Sequence, residues 1–236
     1  GSMLGIAWTV LQPLAMILIY TVIFTQVMKA KLPGVEGTFS YSIYLCAGII
    51  PWGLFAEIIQ RSQSVFLDNA NLLKKLSFPR LTLPVIVVAS ALLNFSIIFG
   101  LFMLFLLVTG NVPGLSILAM IPLLAIHVLF AVGLGVILGV LNVFFRDAGQ
   151  LSSVLLQFWF WVTPIVYPAS ILPDWLLPWM NLNPMYHLMQ AYQGIFVANQ
   201  WPQWQNLALF AVLTIGLALY ALRLFRRHAG EIVDEL

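Results

Sequence analysis

From Leu81 to Phe145 the chain contains no Asp, Glu, Lys or Arg. The run is interrupted only at Thr109–Gly114, where TGNVPG reads as a tight turn. The two halves, roughly Leu81–Val108 and Leu115–Phe145, each exceed the ~20 apolar residues that carry a helix across a bilayer. The same test elsewhere gives Leu4–Met28, ending before Lys29, and Tyr41–Phe66, interrupted by Glu57 and Arg61. It also gives Gln150–Pro168 and Asn206–Phe225. The pattern therefore predicts six spans. Between the last two, an apolar stretch is cut by Pro173, Pro178, Pro184 and Pro202. No full span fits there before Pro184, and the segment predicts two short half-helices near Trp175–Met180 and Met185–Val197. Such pieces are tolerated at membrane depth where they pack on protein or line a cavity. The expected fold is all-α and polytopic, with two short re-entrant or outer-face helices before the last span.

Composition narrows the function classes. The chain of 236 residues is 62% hydrophobic and 8% charged, against about a quarter charged in a soluble domain. Ten basic residues and a net charge of +2 do not build a phosphate-tracking groove, so nucleic acid is not an expected partner. The single cysteine, Cys46, rules out a disulfide framework and a cysteine zinc site. No cleavable signal peptide is evident: the first apolar run is too long and lacks a small-residue cleavage pattern. Gly1-Ser2-Met3 reads either as a scar of tag removal or as the middle of a longer native chain. With six spans, Arg61, Lys74, Lys75, Arg80, Arg146, Arg223, Arg226 and Arg227 fall on one side, and only Lys29 and Lys31 on the other. By the positive-inside bias, both termini are expected in the cytoplasm.

Candidate chemistry is sparse. There is no G-x-x-x-x-G-K-[ST] phosphate loop, so no ATP hydrolysis is expected in this chain. His127, His187 and His228 lack metal-ligand spacing, and His127 reads as a packing residue of the fourth span. The carboxylates lie at span ends and in the tail, so the enzyme reading has little support. Glu57 and Arg61, four apart, share a helix face and are expected to pair; the pair either faces a bundle interior or neutralises an arginine that snorkels to the surface. Gly135 and Gly139 form a G-x-x-x-G pair suited to close helix packing, within or between subunits.

The fifth span carries QFWFWVTPIVYP, with a kink expected at Pro164 and Phe158, Trp161 and Ile165 on one face. Aromatic faces stack on sugar rings or contact lipid, and both readings stand. Trp175, Trp179, Tyr186, Trp201 and Trp204 suit an interfacial belt. The segment DNANLLKKLSFPR, Asp68–Arg80, predicts a helix of about ten residues, N-capped by Asp68 or Asn69 and ended by Pro79. Its stripe of Leu72, Leu73 and Leu76 suits either the membrane surface or a groove on a soluble partner.

These strings, in this order, resemble the membrane subunits of polysaccharide-exporting ABC transporters of the ABC-2 type. The resemblance rests on Gly1–Gly5 with Trp8 and Gln12-Pro13-Leu14, Pro51-Trp52, and Leu72–Lys75 with Phe78-Pro79-Arg80. It continues through Arg146-Asp147, Thr163–Pro168 and Asn183-Pro184-Met185, so it covers essentially the whole chain. It implies one ABC-2 transmembrane domain over 1–236, in the bacterial inner membrane, paired with a second copy and with two ATPase subunits that bind ATP and Mg. The implied cargo is a polysaccharide linked to undecaprenyl lipid, of O-antigen, capsule or teichoic acid type. The loop after the second span becomes a coupling helix meeting the ATPase through Asn71, Leu72, Lys74, Lys75, Phe78 and Arg80, with Arg146 and Asp147 on the same side. Trp8, Phe158, Trp161 and Tyr167 are the expected sugar path. Trp175, Trp179, Asn183 and Tyr186 belong to the expected gate. No metal site is expected.

The chain departs from the family pattern at two places. The amphipathic interface helix that precedes the first span in the family is absent before Gly1, which favours a native segment without its beginning. Gln190 and Gln193 stand in the region where many members carry an arginine. Two other readings have distinct expectations: an ABC-2 exporter of a small lipophilic molecule, and a membrane-embedded glycosyltransferase or scaffold without an ATPase.

Overall fold

The computed structural model describes residues 4–23, 32, 37–75 and 81–235, with the side chains of 4–10, 12, 75, 233 and 234 outside that description. Every regular element among the described residues is helical. In order they are α1 (Leu4–Thr21), α2 (Ser40–Asp68), α3 (Ala70–Lys75), α4 (Thr82–Val108) and a 3-10 turn (Leu115–Ala119) leading into α5 (Met120–Phe144). There follow α6 (Asp147–Val162), a 3-10 turn (Ala169–Ile171), α7 (Leu177–Met180), α8 (Pro184–Ala198), α9 (Trp204–His228) and α10 (Glu231–Glu235). Four of these helices are long and apolar enough to cross a membrane: α2, α4, α5 with its leading turn, and α9. The protein is therefore a multi-pass membrane protein. The turn expected at Thr109–Gly114 separates α4 from α5, with Gly110 at φ +72° in the left-handed region that glycine adopts freely.

The fifth expected span, Gln150–Pro168, is shorter as a helix. Its 16 residues end at Val162, giving a length of about 24 Å. Pro164 terminates the helix instead of kinking it. The residue before a proline is pushed out of the α region, and proline has no N–H to continue the ladder. The Ile165 N–H turns back to the Thr163 carbonyl at 2.7 Å, and the chain runs on without helix. Ile165 is consequently not on the Phe158–Trp161 face; it is fully buried.

The described chain divides into two compact units. The first contains Gly1–Gly53, Leu93–Ile121 and Trp161–Trp204. Its core holds Tyr192, Phe102, Leu106, Ile165, Met185 and Leu188, all essentially inaccessible to solvent. Phe196 sits against Phe102 and Phe99 with ring centres 5.2 and 5.9 Å apart, both edge-to-face. Here α8 has well-defined ends. Pro184 opens it, the Asn183 side chain accepts from the Met185 N–H at 3.1 Å, and Asn199 closes it at φ 50°; these are the residue types that cap helices at such positions. The Asn199 Oδ1 also accepts from Gly114 N (2.9 Å) and Ser116 Oγ (2.5 Å), fixing the end of α8 to the turn before α5.

The second unit contains Leu54–Leu92, Pro122–Phe160 and Gln205–Leu236. Phe55 is fully buried and touches His127, Phe130 and Trp159 with ring centres 5.4–5.6 Å apart. His127 is thus a packing residue, as its position in the sequence suggested. The glycine pair of α5 works inside the chain. A Cβ on Gly135 would lie 2.7 Å from Ser62 Cβ, and one on Gly139 would lie 2.6 Å from the Ser62 carbonyl oxygen. These two glycines let α5 close onto α2, the close-approach geometry that small residues give membrane helices. A further cluster joins Phe66, Leu73, Val87, Val140, Phe225 and Ile232.

Candidate functional site: the α3 corner and the Thr163–Tyr167 strap

Among the described residues, two regions that combine polar side chains with an irregular backbone are candidate sites. The first is in the second unit, around α3. α2 continues to Asp68, and α3 is six residues long. Neither expected cap works as expected. Asp68 accepts from Ser64 Oγ at 2.6 Å, and the Asn69 side chain donates back to the Val65 carbonyl at 2.8 Å. Asn69 thereby satisfies an orphan carbonyl at the end of α2, while its own carbonyl accepts from the N–H groups of Leu72 and Leu73. Pro79, the expected stop, lies outside the described residues, as do Leu76, Phe78 and Arg80.

The leucine face of α3 has an occupant already. Leu73 is buried within the cluster that includes Phe225 and Ile232, Leu72 packs on its edge, and α3 contacts α10. The alternatives of lipid or a partner's groove for Leu73 are replaced by the chain's own C-terminal helices. What α3 leaves open is a polar side: Asn71 and Lys74 are exposed and three residues apart. Arg146 and Asp147, at the α5–α6 corner, are exposed in the same unit.

A polar clasp, absent from the sequence reading, holds that corner. Gln63 on α2 receives the Asn142 Nδ2 on its backbone carbonyl at 2.8 Å and donates its side-chain amide to Ser153 Oγ at 3.3 Å. Ser152 Oγ donates to Gln63 Oε1. The Asn142 Oδ1 accepts from Gly149 N at 2.9 Å, capping an N–H in the first turn of α6. Gly149 suits this place because a Cβ there would lie 2.9 Å from Asn142 Oδ1. The sequence signal was three polar types, Gln63, Asn142 and Ser152, at otherwise apolar span ends. Glu57 and Arg61 do pair, at 2.9 Å, with the Arg61 side chain 44% exposed; that exposure favours the snorkelling reading for Arg61.

The second region is in the first unit. After α6 the non-helical strap Thr163–Tyr167 carries five carbonyls through an apolar environment, where each unpaired one would cost several kcal/mol, about 2–7 by transfer measurements. Side chains from α2 and α8 satisfy four of them, and the Thr163 carbonyl accepts from the Ile165 N–H. Tyr41 donates to the Val166 carbonyl at 2.6 Å, and Tyr44 to the carbonyls of Tyr167 (2.9 Å) and Pro164 (3.2 Å). Gln193 donates to the Ile165 carbonyl at 3.2 Å and that of Pro164 at 3.4 Å. Asn183 Nδ2 donates to Thr163 Oγ1 at 3.0 Å. Gly48 leaves room for this arrangement, since a Cβ there would lie 2.9 Å from Gln193 Nε2 and 3.1 Å from Ile165 Cγ2. Tyr41 and Tyr44 were not singled out from sequence, and Gln193 stood out only as a departure from the family pattern; the need for donors opposite a proline-broken apolar segment was their available signal.

The expected sugar-path and gate residues divide accordingly. Phe158 and Trp161 are 67% and 58% exposed and three apart on α6. Tyr167 is half-buried, and its hydroxyl donates to the Trp161 carbonyl at 2.8 Å, closing the last turn of α6; this hydroxyl contact is a structural one. Trp175 and Trp179 are strongly exposed, as are Trp201 and Trp204. Tyr186 is buried and its hydroxyl accepts from Gln190 Nε2 at 2.7 Å, so it does not join an exposed belt. Asn183 serves as the α8 cap and strap contact. The side chains of Trp8 and Lys75 lie outside the described residues.

Comparisons with known proteins bear on what such a chain does. Residues 1–197 match the family model of ABC-2 type transporters. The chain is similar to an O-antigen export system permease protein RfbA of Myxococcus xanthus, 31% identical over 100% of this chain and 89% of the relative. It is likewise similar to an O-antigen export system permease protein RfbA of Klebsiella pneumoniae, 32% identical over 96% of this chain and 85% of the relative. A polysialic acid transport protein KpsM of Escherichia coli is 25% identical over 93% of this chain and 86% of its own length. On the match over 1–197 and the helical membrane architecture, the chain belongs to the ABC-2 type transporter family.

Proposed function

We propose that the protein is the transmembrane subunit of an ABC exporter that moves a lipid-linked polysaccharide of O-antigen type out of the bacterial cytoplasm. The observation that carries this reading is similarity over nearly the whole chain to proteins named for O-antigen export. The working unit is two copies of this chain with two ATPase subunits, which bind ATP and Mg. Six spans are proposed: the four long helices, α1, and α6 extended by the Thr163–Tyr167 strap. Both termini, α3 and the Arg146–Asp147 corner then lie in the cytoplasm, and α7 and α8 on the outer face.

In this reading α3 is the coupling helix. Its leucines anchor it to the chain's own core, and its exposed Asn71 and Lys74, with Lys75, Arg146 and Asp147, meet the ATPase. The Gln63–Asn142–Ser152 clasp makes the α2 end and the α5–α6 corner move together. On α6, Phe158 and Trp161 present exposed aromatic faces for the sugar chain, with Trp8 as a further path residue. Trp175 and Trp179 flank the gate. The experiment is ATP-driven export into inverted vesicles holding the permease and its ATPase. Lys74→Glu with Lys75→Glu leaves the permease folded and ATP hydrolysis present, while export falls at least tenfold. Export at the wild-type rate would remove the coupling role from α3; no polysaccharide export by the wild type would remove the function itself.

A further inference from the structure

Within the second unit a groove of about 680 Å³ opens between the first half of α4, the middle of α5 and the last half of α9. Its lining is wholly side chains of apolar residues and glycine. Small residues, Ala89, Gly133 and Ala218, are part of the lining, while Val85 and Leu219 are each 63% exposed. The depression has a definite cause. A Cβ on Gly133 would lie 3.3 Å from Leu217 Cγ and 3.4 Å from the Ala218 backbone nitrogen, so α5 and α9 touch nearly backbone to backbone, leaving nothing tall between them. Leu81, just before α4, and α4 as far as Leu92 line the groove, eleven steps of about 1.5 Å, or roughly 16 Å. That is close to half of a hydrocarbon core of about 30 Å, the depth of one leaflet.

One end of the groove is marked by charge. On α9, Leu219 and Leu222 line it, and Arg226 follows at the next step of the same helix face. Arg226 is exposed and takes part in neither ion pair of the described residues. Leu83 and Phe225 share one buried cluster, so the start of α4 and the end of α9 mark the same end of the groove.

We propose that this groove binds one acyl chain of an anionic phospholipid, with Arg226 contacting its phosphate at the membrane surface. The lining selects hydrocarbon, the length selects a single leaflet, and the arginine selects a negative headgroup. This site is distinct from the aromatic face of α6 and does not depend on what is exported.

The test is native mass spectrometry of the intact protein released from membranes of equal phosphatidylglycerol and phosphatidylcholine. The wild type is expected to retain phosphatidylglycerol in preference. Arg226→Gln should reduce that preference roughly fivefold, the factor for one arginine at an anionic surface, while acyl-chain retention persists. Ala89→Phe, at an exposed groove position, should lower retention of both lipids. Equal retention of the two lipids by the wild type, or unchanged retention in both variants, overturns the proposal. So does efficient cross-linking of Val85→Cys to a second copy, which would make the face a protein interface.

Discussion

At the residue scale, single atoms decide which helices approach. Gly139 is the sharpest case, because the atom nearest its absent Cβ is a backbone carbonyl, 2.6 Å away, with Phe66 Cε2 at 3.1 Å. A backbone oxygen cannot rotate aside as a side chain does. Gly139→Ala must therefore push α5 off α2, at a cost of about 1–3 kcal/mol. The check is thermal denaturation in detergent, with Gly216→Ala on α9 as the control, since open space surrounds that glycine. The G-x-x-x-G spacing was legible in the sequence; its partner was not, because Ser62 and Phe66 come from a span more than sixty residues earlier in the chain.

At the scale of elements, α6 is held at its two ends by different means. At its start, Asn142 accepts from Gly149 N and donates to the Gln63 carbonyl. Asn142→Leu removes both contacts and leaves a first-turn N–H without its cap, costing about 1–3 kcal/mol. Asn142→Asp keeps the acceptor and should lose less. Unfolding of the two variants in denaturant, compared with wild type, checks the order. At its end, Tyr167 and the strap donors Tyr41, Tyr44 and Gln193 replace the hydrogen bonds that Pro164 abolishes.

The sequence exposed the break, since a proline after a threonine in an apolar run is visible by inspection. The direction of the break was decided by tertiary partners. A proline kink needs the helix to resume, and here donors on α2 and α8 stabilise a non-helical backbone instead. The same logic applies to α3. Its leucine stripe was legible as an amphipathic signal, but periodicity says only that a face is apolar. The buried Leu73 and Ile232 show that the chain covers that face itself.

At the scale of the whole molecule, the proposed six-span arrangement would place the Thr109–Gly114 turn outside and the end of α9 inside. Single cysteines test it, because the native Cys46 is buried. Val112→Cys, at a position 52% exposed, should react with a membrane-impermeant maleimide in intact spheroplasts. Arg227→Cys should react only after the membrane is permeabilised. Reversed labelling would overturn the orientation, and labelling of both from one side would overturn the even span count.

What the sequence alone determined is the solvent. Charge-free runs of span length and a 62% hydrophobic composition leave hydrocarbon as the only medium that suits them, and helices as the way to satisfy their backbones. The order of spans, the turn between α4 and α5, and the broken α7–α8 segment follow from local chemistry of glycine and proline. Tertiary structure decided which apolar faces are internal. Leu73, Tyr186 and Ile165 are buried, while Phe158 and Trp161 are not. In a chain this uniformly apolar, burial carries no compositional signature. Whether a leucine or tryptophan meets lipid, its own chain or a partner is set by shape and by a few hydrogen bonds, and those exist only once distant spans are brought together.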